Sequence, residues 1–302
     1  MIKDEKNDCS TWIAAVSFSS QPTVAGLLCF AALCYCQAVV AAAPPDRDTV
    51  LLERRYDEVS IVMTHNAMSN RAEGWLFPNQ NFGLTRQLKD GVRGLMLDVH
   101  LVGNRPFLVH GKAFLGKRPL VDGLKEIRAF LEKTPQAVIT IIFESYVEGK
   151  LVRRAFQEAK LLDSLHHQRH DAPWPTLRKM VASGRRLVVM TDRDGDSWPG
   201  YHDVWKHCWE THFSVKRTQD FSFRRNRGQA QNRLLILNHF LTRPTASPSL
   251  AARANSQTVL GPRVDGCQKA TGRRPHFVVV DFHDIGAAQK VVDGFNRKNP
   301  PR

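Results

Sequence analysis

Polar side chains that can move protons or bind cations follow several apolar runs of the sequence. His65 and Asn66 follow VSIVM, at residues 59–63, after Thr64. The polar residues that follow this apolar run and the later apolar runs are His65, Asn66, Asp98, His100, His110, Glu144, Asp192, Asn238, His239, Asp281 and His283. Because the carboxyl ends of parallel strands converge on one face of a (β/α) barrel, this pattern predicts one shared site there.

Two of these histidines suit acid–base catalysis. His65 and His110 follow different runs, so one imidazole can accept a proton while the other donates one. Displacement of an alcohol from phosphorus needs that pair of proton transfers. A carboxylate such as Asp281 would hold an imidazole in the useful tautomer. We therefore predict His65, His110 and Asp281 as catalytic residues.

Hard oxygen donors accompany the histidines. Asn66, Asp98 and Glu144 suit Ca²⁺ or Mg²⁺ far better than zinc, and Ca²⁺ is the expected cation. Such an ion would offset charge on a phosphate oxygen. Arg93 and Lys112 are their cationic neighbours along the chain and are predicted to help bind the anion. For Arg93, a structural ion pair inside the barrel is the alternative.

Two other motifs carry less weight. HHQRH, at residues 166–170, resembles a metal cluster, but it lies in a polar connection and is interpreted as a solvated loop. RRNRG, at residues 224–228, has Phe221 and Phe223 beside it. This basic patch is short and isolated, so a phospholipid headgroup or solvent is a better partner for it than nucleic acid.

Strand-like and helix-like segments alternate through most of the chain. AVITIIFESY is rich in Ile and Val, as strands buried on both faces are. LVDGLKEIRAFLEK repeats its apolar residues at helical spacing. At least seven such strands, separated by helices, predict a parallel α/β fold, and 302 residues fit one barrel domain.

The first 43 residues differ from the rest. Val24 to Ala43 is a 20-residue run with one polar residue, long enough to span a membrane. It ends in small residues before Pro44, as signal-peptidase sites do, although no positive region precedes it. We predict a signal peptide or membrane anchor over 1–43, with a buried core helix as the alternative. Residues 44–302 would then be secreted or anchored outside the cytosol.

Charge and cysteine content narrow the partners. The formal net charge of +14 favours phosphate-bearing substrates, anionic membrane surfaces or nucleic acid, while solubility alone is the alternative. Beyond residue 43 the cysteines are Cys208 and Cys267. In an oxidising compartment they could pair, and the alternative is two separate buried thiols.

Seven segments, taken together, resemble a known family. They are THNAMSN, LTRQLKDGVRGLMLDVH, FLVHGK, LKEIRAFLEKTPQAVITIIFESYV, WPTLRKMVASGRRLVVMTD, LLILNHFLT and HFVVVDFHDIG. Their order is similar to that of the phosphatidylinositol-specific phospholipase C X-domain-like phosphodiesterases, in the single-domain branch of bacteria, fungi and plants. The resemblance covers about residues 50–295.

The resemblance implies a distorted (β/α)8 TIM-type barrel, a single domain over 44–302, that cleaves a phospholipid between glycerol and phosphate. His65 matches the family's base, Asp281 the carboxylate paired with it, and His110 the acid. The cation ligands of the metal-dependent members match the set Asn66, Asp98 and Glu144. Met96 stands in place of one further acidic ligand, which weakens the expected metal site.

Three functions follow as hypotheses. The first is an exported phospholipase C-like hydrolase, a monomer that acts on a phospholipid headgroup at an anionic membrane surface and not on nucleic acid. The second is a related barrel phosphodiesterase of the sphingomyelinase D or glycerophosphodiesterase kind. Glycerophosphodiesterases usually begin with His-Arg, whereas this chain has His65-Asn66. The third, which Met96 keeps open, is a catalytically weak barrel that binds phosphoinositides.

Overall fold

A computed structural model describes residues 47–299. The predicted signal or anchor over residues 1–43 lies outside them. The strands are β1 Ile61–Thr64, β2 Gly94–Val102, β3 Arg105–Leu108, β4 Arg118–Pro119, β5 Ile139–Ser145, β6 Leu187–Thr191, β7 Tyr201–Asp203, β8 Cys208–Thr211, β9 Arg225–Gly228, β10 Leu234–Asn238 and β11 Pro275–Val280. The helices are α1 Arg47–Leu51, α2 Leu84–Lys89, α3 Leu120–Lys133, α4 Gly149–Glu158, α5 Leu177–Ala182, α6 Val204–His207, α7 Pro248–Ala254, α8 Gln257–Thr271 and α9 Ala288–Lys298. None of the helices described within 47–299 combines the length and apolar character needed to cross a membrane.

Eight parallel strands form a curled sheet in the order β7-β6-β5-β2-β1-β11-β10-β8. This is the cyclic strand order of a (β/α)8 barrel. In the described part of the chain no ladder joins β7 to β8, and the four-residue helix α6 connects them instead. The predicted distorted barrel is therefore confirmed, and the distortion is an opening between β7 and β8.

The segment RPFLVHG is not a barrel strand. It forms β3, which returns antiparallel to β2 as a hairpin and pairs Leu108 with Val99. The prediction of helix-separated strands was wrong here, because the connection is a short turn. The hairpin carries the chain back along β2, so that the backbone N–H of Val109 donates to the carbonyl of Asp98 at 3.1 Å. This return brings His110, the next residue, close to Asp98 of β2.

Alternation along the strands divides the apolar residues into two cores. In β1, Ile61 and Met63 belong to a cluster inside the barrel, whereas Val62 belongs to the cluster between the sheet and the helices. The other members of the inner cluster on barrel strands or directly preceding them are Val138, Ile142, Val188, Met190, Cys208, Leu234, Ile236, Phe277 and Val279. Each buried side chain of this size contributes on the order of 1.5–3 kcal/mol through removal of apolar surface from water.

Tyr56 fills the amino-terminal end of the barrel interior. Its hydroxyl lies 2.5 Å from the hydroxyl of Thr140, and its ring packs on Trp174 and His276 at centroid distances of 4.4 and 4.5 Å. Tyr56 is 2% exposed. This end of the barrel interior is thus packed with side chains.

Both cysteines of the described residues are free and buried. Cys208 lies inside the barrel, where its Sγ is 3.6 Å from Sδ of Met190. Cys267 lies on α8, in the cluster outside the sheet. The sheet separates the two thiols, so pairing was wrong and the alternative of two buried thiols is confirmed.

The HHQRH segment is only partly solvated, which corrects its interpretation as a solvated loop. His166 and Gln168 are buried, and the carbonyl of His166 lies 3.0 Å from Nε2 of His202 on β7. His207, at the end of α6, contacts the rings of His202 and His170 at centroid distances of 5.3 and 5.8 Å. Histidines therefore pack on both sides of the barrel opening.

Because these histidines are buried, we predict that acid destabilises the fold. Burial, followed by the charges of His202 and His170, lowers the pKa of His207 to about 4, while Asp196 opposes and Lys206 adds to that shift. The unfolded chain then binds protons that the folded chain does not, so the free energy of unfolding decreases as pH falls from about 6.5 towards 4. We expect urea midpoints to fall over this range, and His207→Gln to reduce the fall.

His212→Gln is the matched control, because His212 is exposed. An unchanged pH dependence of the urea midpoint in His207→Gln would contradict the argument. His239 and His276, whose pKa values burial lowers to about 3, act in the same direction and remain in the variant. The expected effect is therefore a partial reduction.

Candidate active site

A cavity of about 280 Å³ lies at the carboxyl end of the barrel. It forms where the inward-facing positions of the strands change from apolar to polar. Its lining residues are His65, Asn66, Met96, Asp98, Ile142, Phe143, Glu144, Asp192, Arg193, Val204, Trp205, Glu210, Phe213, Arg227, Ile236, Asn238 and Phe240. The ring of polar strand ends predicted from sequence thus converges in large part on one space.

His65 and Asp281 are hydrogen-bonded across adjacent strands β1 and β11. Nδ1 of His65 lies 2.9 Å from Oδ1 of Asp281, which is 3% exposed. A carboxylate accepts, so Nδ1 carries the proton and Nε2 is left with a lone pair. The imidazole is also stacked on Phe240 at 3.9 Å with an interplanar angle of 12°. Both contacts hold the ring in one orientation.

Asn79 and Gln80 support this pair and were not predicted from the sequence. Nδ2 of Asn79 donates to Oδ1 of Asp281 at 2.9 Å, and Nε2 of Gln80 donates to the carbonyl of His65 at 2.9 Å. Asn79 is 3% exposed and Gln80 is fully buried. They lie in the loop between β1 and α2, where no strand or helix periodicity marks their partners.

Asn66 turns the chain away from β1. Its φ of 44° lies in the left-handed region, which Asn adopts more readily than most residues. Its Nδ2 donates to Oδ1 of Asn79 at 3.4 Å. The side-chain oxygen of Asn66 therefore remains available as a hard donor at the cavity.

Carboxylates crowd one side of the cavity. Asp98 and Glu144 are direct partners in the β2–β5 ladder, and Asp192 follows the next strand, β6. Burial raises the pKa of Asp98 well above its usual range, and the charges of Glu144 and Asp192 raise it further. A cation among these oxygens would relieve that repulsion. Met96 packs against the inner apolar cluster two positions before Asp98 and offers no oxygen.

The donor set fits a divalent cation in chemistry. Asn66, Asp98 and Glu144 supply amide and carboxylate oxygens, the donors that Ca²⁺ binds. Within residues 47–299, no group of three or more His, Cys, Asp or Glu side chains is arranged to hold a metal ion. The predicted ligands include two such side chains, Asp98 and Glu144, together with the amide of Asn66.

His110 lies beside the cavity after β3 and is half-buried. Burial lowers its pKa, and the nearby charge of His65 lowers it further, whereas Asp281 and Glu144 raise it. These effects place His110 within electrostatic reach of His65 and Asp281. An anion bound beside it would favour its protonated form.

The two predicted phosphate-binding cations lie away from the cavity lining. Arg93 precedes β2, at the opposite end of that strand, where its guanidinium donates to the carbonyls of Leu88 and Val92 at 2.9 Å each. Its position does not support phosphate binding at this cavity, because the strand direction puts it at the amino end. Lys112 is exposed, two residues after His110.

Arg193 and Arg227 contact the cavity instead. Nε of Arg227 lies 2.6 Å from Oε1 of the buried Glu210, and its guanidinium packs over Trp205 and Phe213 at 4.4 and 5.0 Å. Arg227 belongs to the RRNRG segment, whose sequence does not reveal that it forms β9 antiparallel to β8.

Two other histidines of the predicted ring, His239 and His283, face away from the cavity, whereas His100 stacks on Tyr146 beside Glu144. His239 is buried outside the barrel interior and bonds the carbonyl of Ala254 at 2.8 Å. His283 lies 3.2 Å from Asp90 through Nε2. His239 directly follows the cavity-lining Asn238, so alternation directs it outward. His283 lies beyond the end of β11, after Phe282, whose φ of 44° breaks the extended backbone, so alternation does not apply to it.

The sequence that forms this barrel and its histidine–carboxylate pair matches a known protein family. The family model for the PI-PLC X domain, described as PI-PLC X 1, matches residues 51–296. The chain belongs to the PI-PLC X domain family. The phosphatidylinositol-specific phospholipase C of Listeria monocytogenes has a similar fold, with a TM-score of 0.60 and 17% identity over 85% of this chain and 98% of that one.

Two curated relatives are similar in sequence. A PI-PLC X domain-containing protein of Arabidopsis thaliana is 30% identical over 271 residues, which cover 80% of this chain and 62% of that protein. An uncharacterized secreted protein of Arthroderma benhamiae is 26% identical over 259 residues, 77% of this chain and 58% of that protein. The chain thus spans about three fifths of the length of both relatives.

The tautomer of His65 provides a test of the site that needs no substrate. We expect ¹⁵N NMR of the wild-type protein to show Nδ1 protonated and Nε2 unprotonated, because Asp281 accepts from Nδ1. Asp281→Ala should shift neutral His65 towards the Nε2–H form, the tautomer usual for free imidazole. Asp284→Ala, which removes an exposed carboxylate of the same loop, is the control. An unchanged His65 spectrum in Asp281→Ala would refute the assignment.

Proposed function

We propose that the chain is a phosphoric diester hydrolase that cleaves a phospholipid, such as phosphatidylinositol, between glycerol and phosphate. The observation that carries the proposal is the His65–Asp281 pair, 2.9 Å apart, at a cavity within electrostatic reach of His110. Two histidines, one of them fixed by a carboxylate, are the equipment of general acid–base catalysis. The shared fold of the Listeria enzyme agrees with this chemistry.

The mechanism assigns one proton transfer to each histidine. Nε2 of His65 takes the proton of an attacking hydroxyl, whose oxygen forms a bond to phosphorus. Asp281 stabilises the imidazolium that results, because its carboxylate accepts from Nδ1. His110 gives its proton to the departing diacylglycerol oxygen as the phosphorus–oxygen bond breaks. With an inositol lipid the attacking group is the ring 2-hydroxyl, and a cyclic phosphate forms first.

A bound Ca²⁺ would offset negative charge on a phosphate oxygen. Asn66, Asp98 and Glu144 are the residues that would hold it, with Asp192 beside them. Burial, together with the charges of Glu144 and Asp192, raises the pKa of Asp98, and these neighbouring carboxylates support a cation at this position. Met96 stands where the metal-dependent members of the family have a further acidic ligand. We therefore expect a modest affinity for Ca²⁺.

The cavity chemistry favours an uncharged, hydroxylated headgroup. Asp192 and the side-chain oxygen of Asn238 offer acceptors for hydroxyl donors. The guanidinium of Arg227 already lies over Trp205 and Phe213, where a quaternary ammonium would otherwise be recognised. This arrangement disfavours choline lipids and therefore a sphingomyelinase-like activity.

An exposed apolar patch is suited to contact with the lipid surface. It consists of Leu76, Phe77 and Phe114, which are 55%, 61% and 80% exposed. The backbone N–H of Leu76 donates to the carbonyl of Leu115 at 2.8 Å, which joins the two loops that carry the patch. One loop leads to Asn79 and the other follows His110, so the patch lies at the rim of the site.

The charge near the patch favours an anionic bilayer. Lys112 and Lys117 flank Phe114 and are exposed, and the whole chain carries a net charge of +14. Export of the barrel agrees with this partner, and one relative is called a secreted protein. We propose a secreted or anchored monomer that acts on lipid from outside the cytosol.

Removal of either histidine tests the catalytic proposal. We expect His65→Ala and His110→Ala each to lower phosphatidylinositol turnover by about 10²- to 10⁴-fold, because each loses one acid–base role. The assay compares inositol, choline and glycerol headgroups, with and without chelator. His167→Ala is the control, since His167 is exposed and its neighbour His166 donates its N–H to Leu187 at the amino end of β6. Near-normal turnover by either active-site variant would exclude the mechanism, and no turnover of any headgroup by the wild type would favour a binding barrel.

The lipid-surface proposal makes a separate prediction. We expect Leu76→Ser/Phe77→Ser/Phe114→Ser to reduce sedimentation with phosphatidylglycerol-containing vesicles by about tenfold, because burial of such side chains is worth about 1.5–3 kcal/mol each and only part of it is realised at an interface. Hydrolysis of a monomeric, water-soluble substrate should be retained. Val50→Ser, which alters an exposed apolar residue at the amino end of the barrel, is the control. Wild-type vesicle binding by the triple variant would exclude the patch as the docking surface.

A further inference from the structure

The carboxylate of Glu144 is held by a side chain that plays no part in the mechanism above. The hydroxyl of Tyr146 donates to Oε1 of Glu144. We propose that Tyr146 is a positioning residue that fixes Glu144 for a divalent cation, an inference that rests on the proposed cation site. Tyr146 does not line the 280 Å³ cavity, so it would act through Glu144 and not by contact with substrate.

The ring of Tyr146 is sandwiched between two cationic or ionisable partners. His100 stacks on it at a centroid distance of 4.2 Å and an interplanar angle of 15°. The guanidinium of Arg193 lies 4.4 Å from the same centroid. Two groups at these distances cannot share one face, so both faces are covered. The ring is therefore not a stacking platform for substrate, and the hydroxyl is its remaining functional group.

The sandwich joins three neighbouring strands at their carboxyl ends. His100 lies on β2, Tyr146 follows β5 and Arg193 follows β6. Backbone contacts secure the same point, since the N–H of Tyr146 donates to the carbonyl of Val99 at 2.8 Å and the N–H of Ser145 donates to Asp192 at 2.9 Å. The hydroxyl is thereby held in place by the sheet itself.

This arrangement leaves Glu144 with one oxygen bonded and one open. In the described part of the chain, no hydrogen bond reaches Oε2 of Glu144, which is adjacent in the ladder to Asp98. A neutral donor on Oε1 orients the carboxylate and offsets part of its repulsion with Asp98. Outer partners of metal-binding carboxylates typically contribute 10- to 100-fold to metal affinity.

A double-mutant cycle read by calorimetry tests the positioning role. CaCl₂ is titrated into the wild type, Tyr146→Phe, Glu144→Gln and the double variant, in detergent-free buffer without lipid. Tyr146→Phe keeps the aromatic sandwich and removes only the hydroxyl. We expect it to weaken Ca²⁺ binding by about 10-fold and to have no further effect once Glu144 is replaced, with thermal midpoints unchanged.

Glu148→Gln is the matched control. Glu148 is an exposed carboxylate on the same loop that pairs with Lys150, and its loss should leave Ca²⁺ binding unchanged. Wild-type Ca²⁺ affinity in Tyr146→Phe would overturn the positioning role. An equal loss with and without Glu144 would also overturn it, because Tyr146 would then act elsewhere. If the wild type itself binds no Ca²⁺ at millimolar concentration, the proposal is wrong, whereas turnover in chelator still tests the histidine mechanism separately.

Discussion

Strand alternation is the constraint on which the whole molecule depends. On each barrel strand, alternate side chains point inward, and the inward series changes from apolar to polar at the carboxyl end. Met63 is followed two positions later by His65, and Val279 by Asp281, so the packing that builds the interior also places the hydrogen-bonded His65–Asp281 pair. A shift of one residue in either strand would turn these side chains into the helical layer.

The site combines this rigid ring with supports from loops. Phe240 stacks on His65, and Asn79 donates to Asp281, so both members of the histidine–carboxylate pair are held by residues beyond the strands. On the other side, carboxylates from β2, β5 and β6 crowd together, and Tyr146 restrains one of them. The molecule thus has a histidine–carboxylate pair on one side of the cavity and a cluster of carboxylates on the other.

The opening between β7 and β8 is the part of the barrel that periodicity did not reveal. These strands read YHD and CWET, three and four residues long, and neither contains an apolar run. These short strands are buried because they pack against other elements of the fold. Tyr201 belongs to the cluster outside the sheet and Cys208 to the cluster inside the barrel. The hairpin of β2 and β3 was likewise misread, because an apolar run does not specify whether its neighbour is parallel.

The sequence by itself determined the barrel class, the helices such as α3, and the polar ends of the long strands, because apolar periodicity and strand length are local properties. It also marked His65, Asp98, Glu144 and Asp281 as members of one ring. Only the tertiary structure decided that Arg93 lies at the opposite end of β2 from the cavity, that Arg227 contacts it, and that Asn79 and Tyr146 support it. Those assignments depend on strand direction and on contacts between residues far apart in the chain, for which spacing along the sequence carries no information.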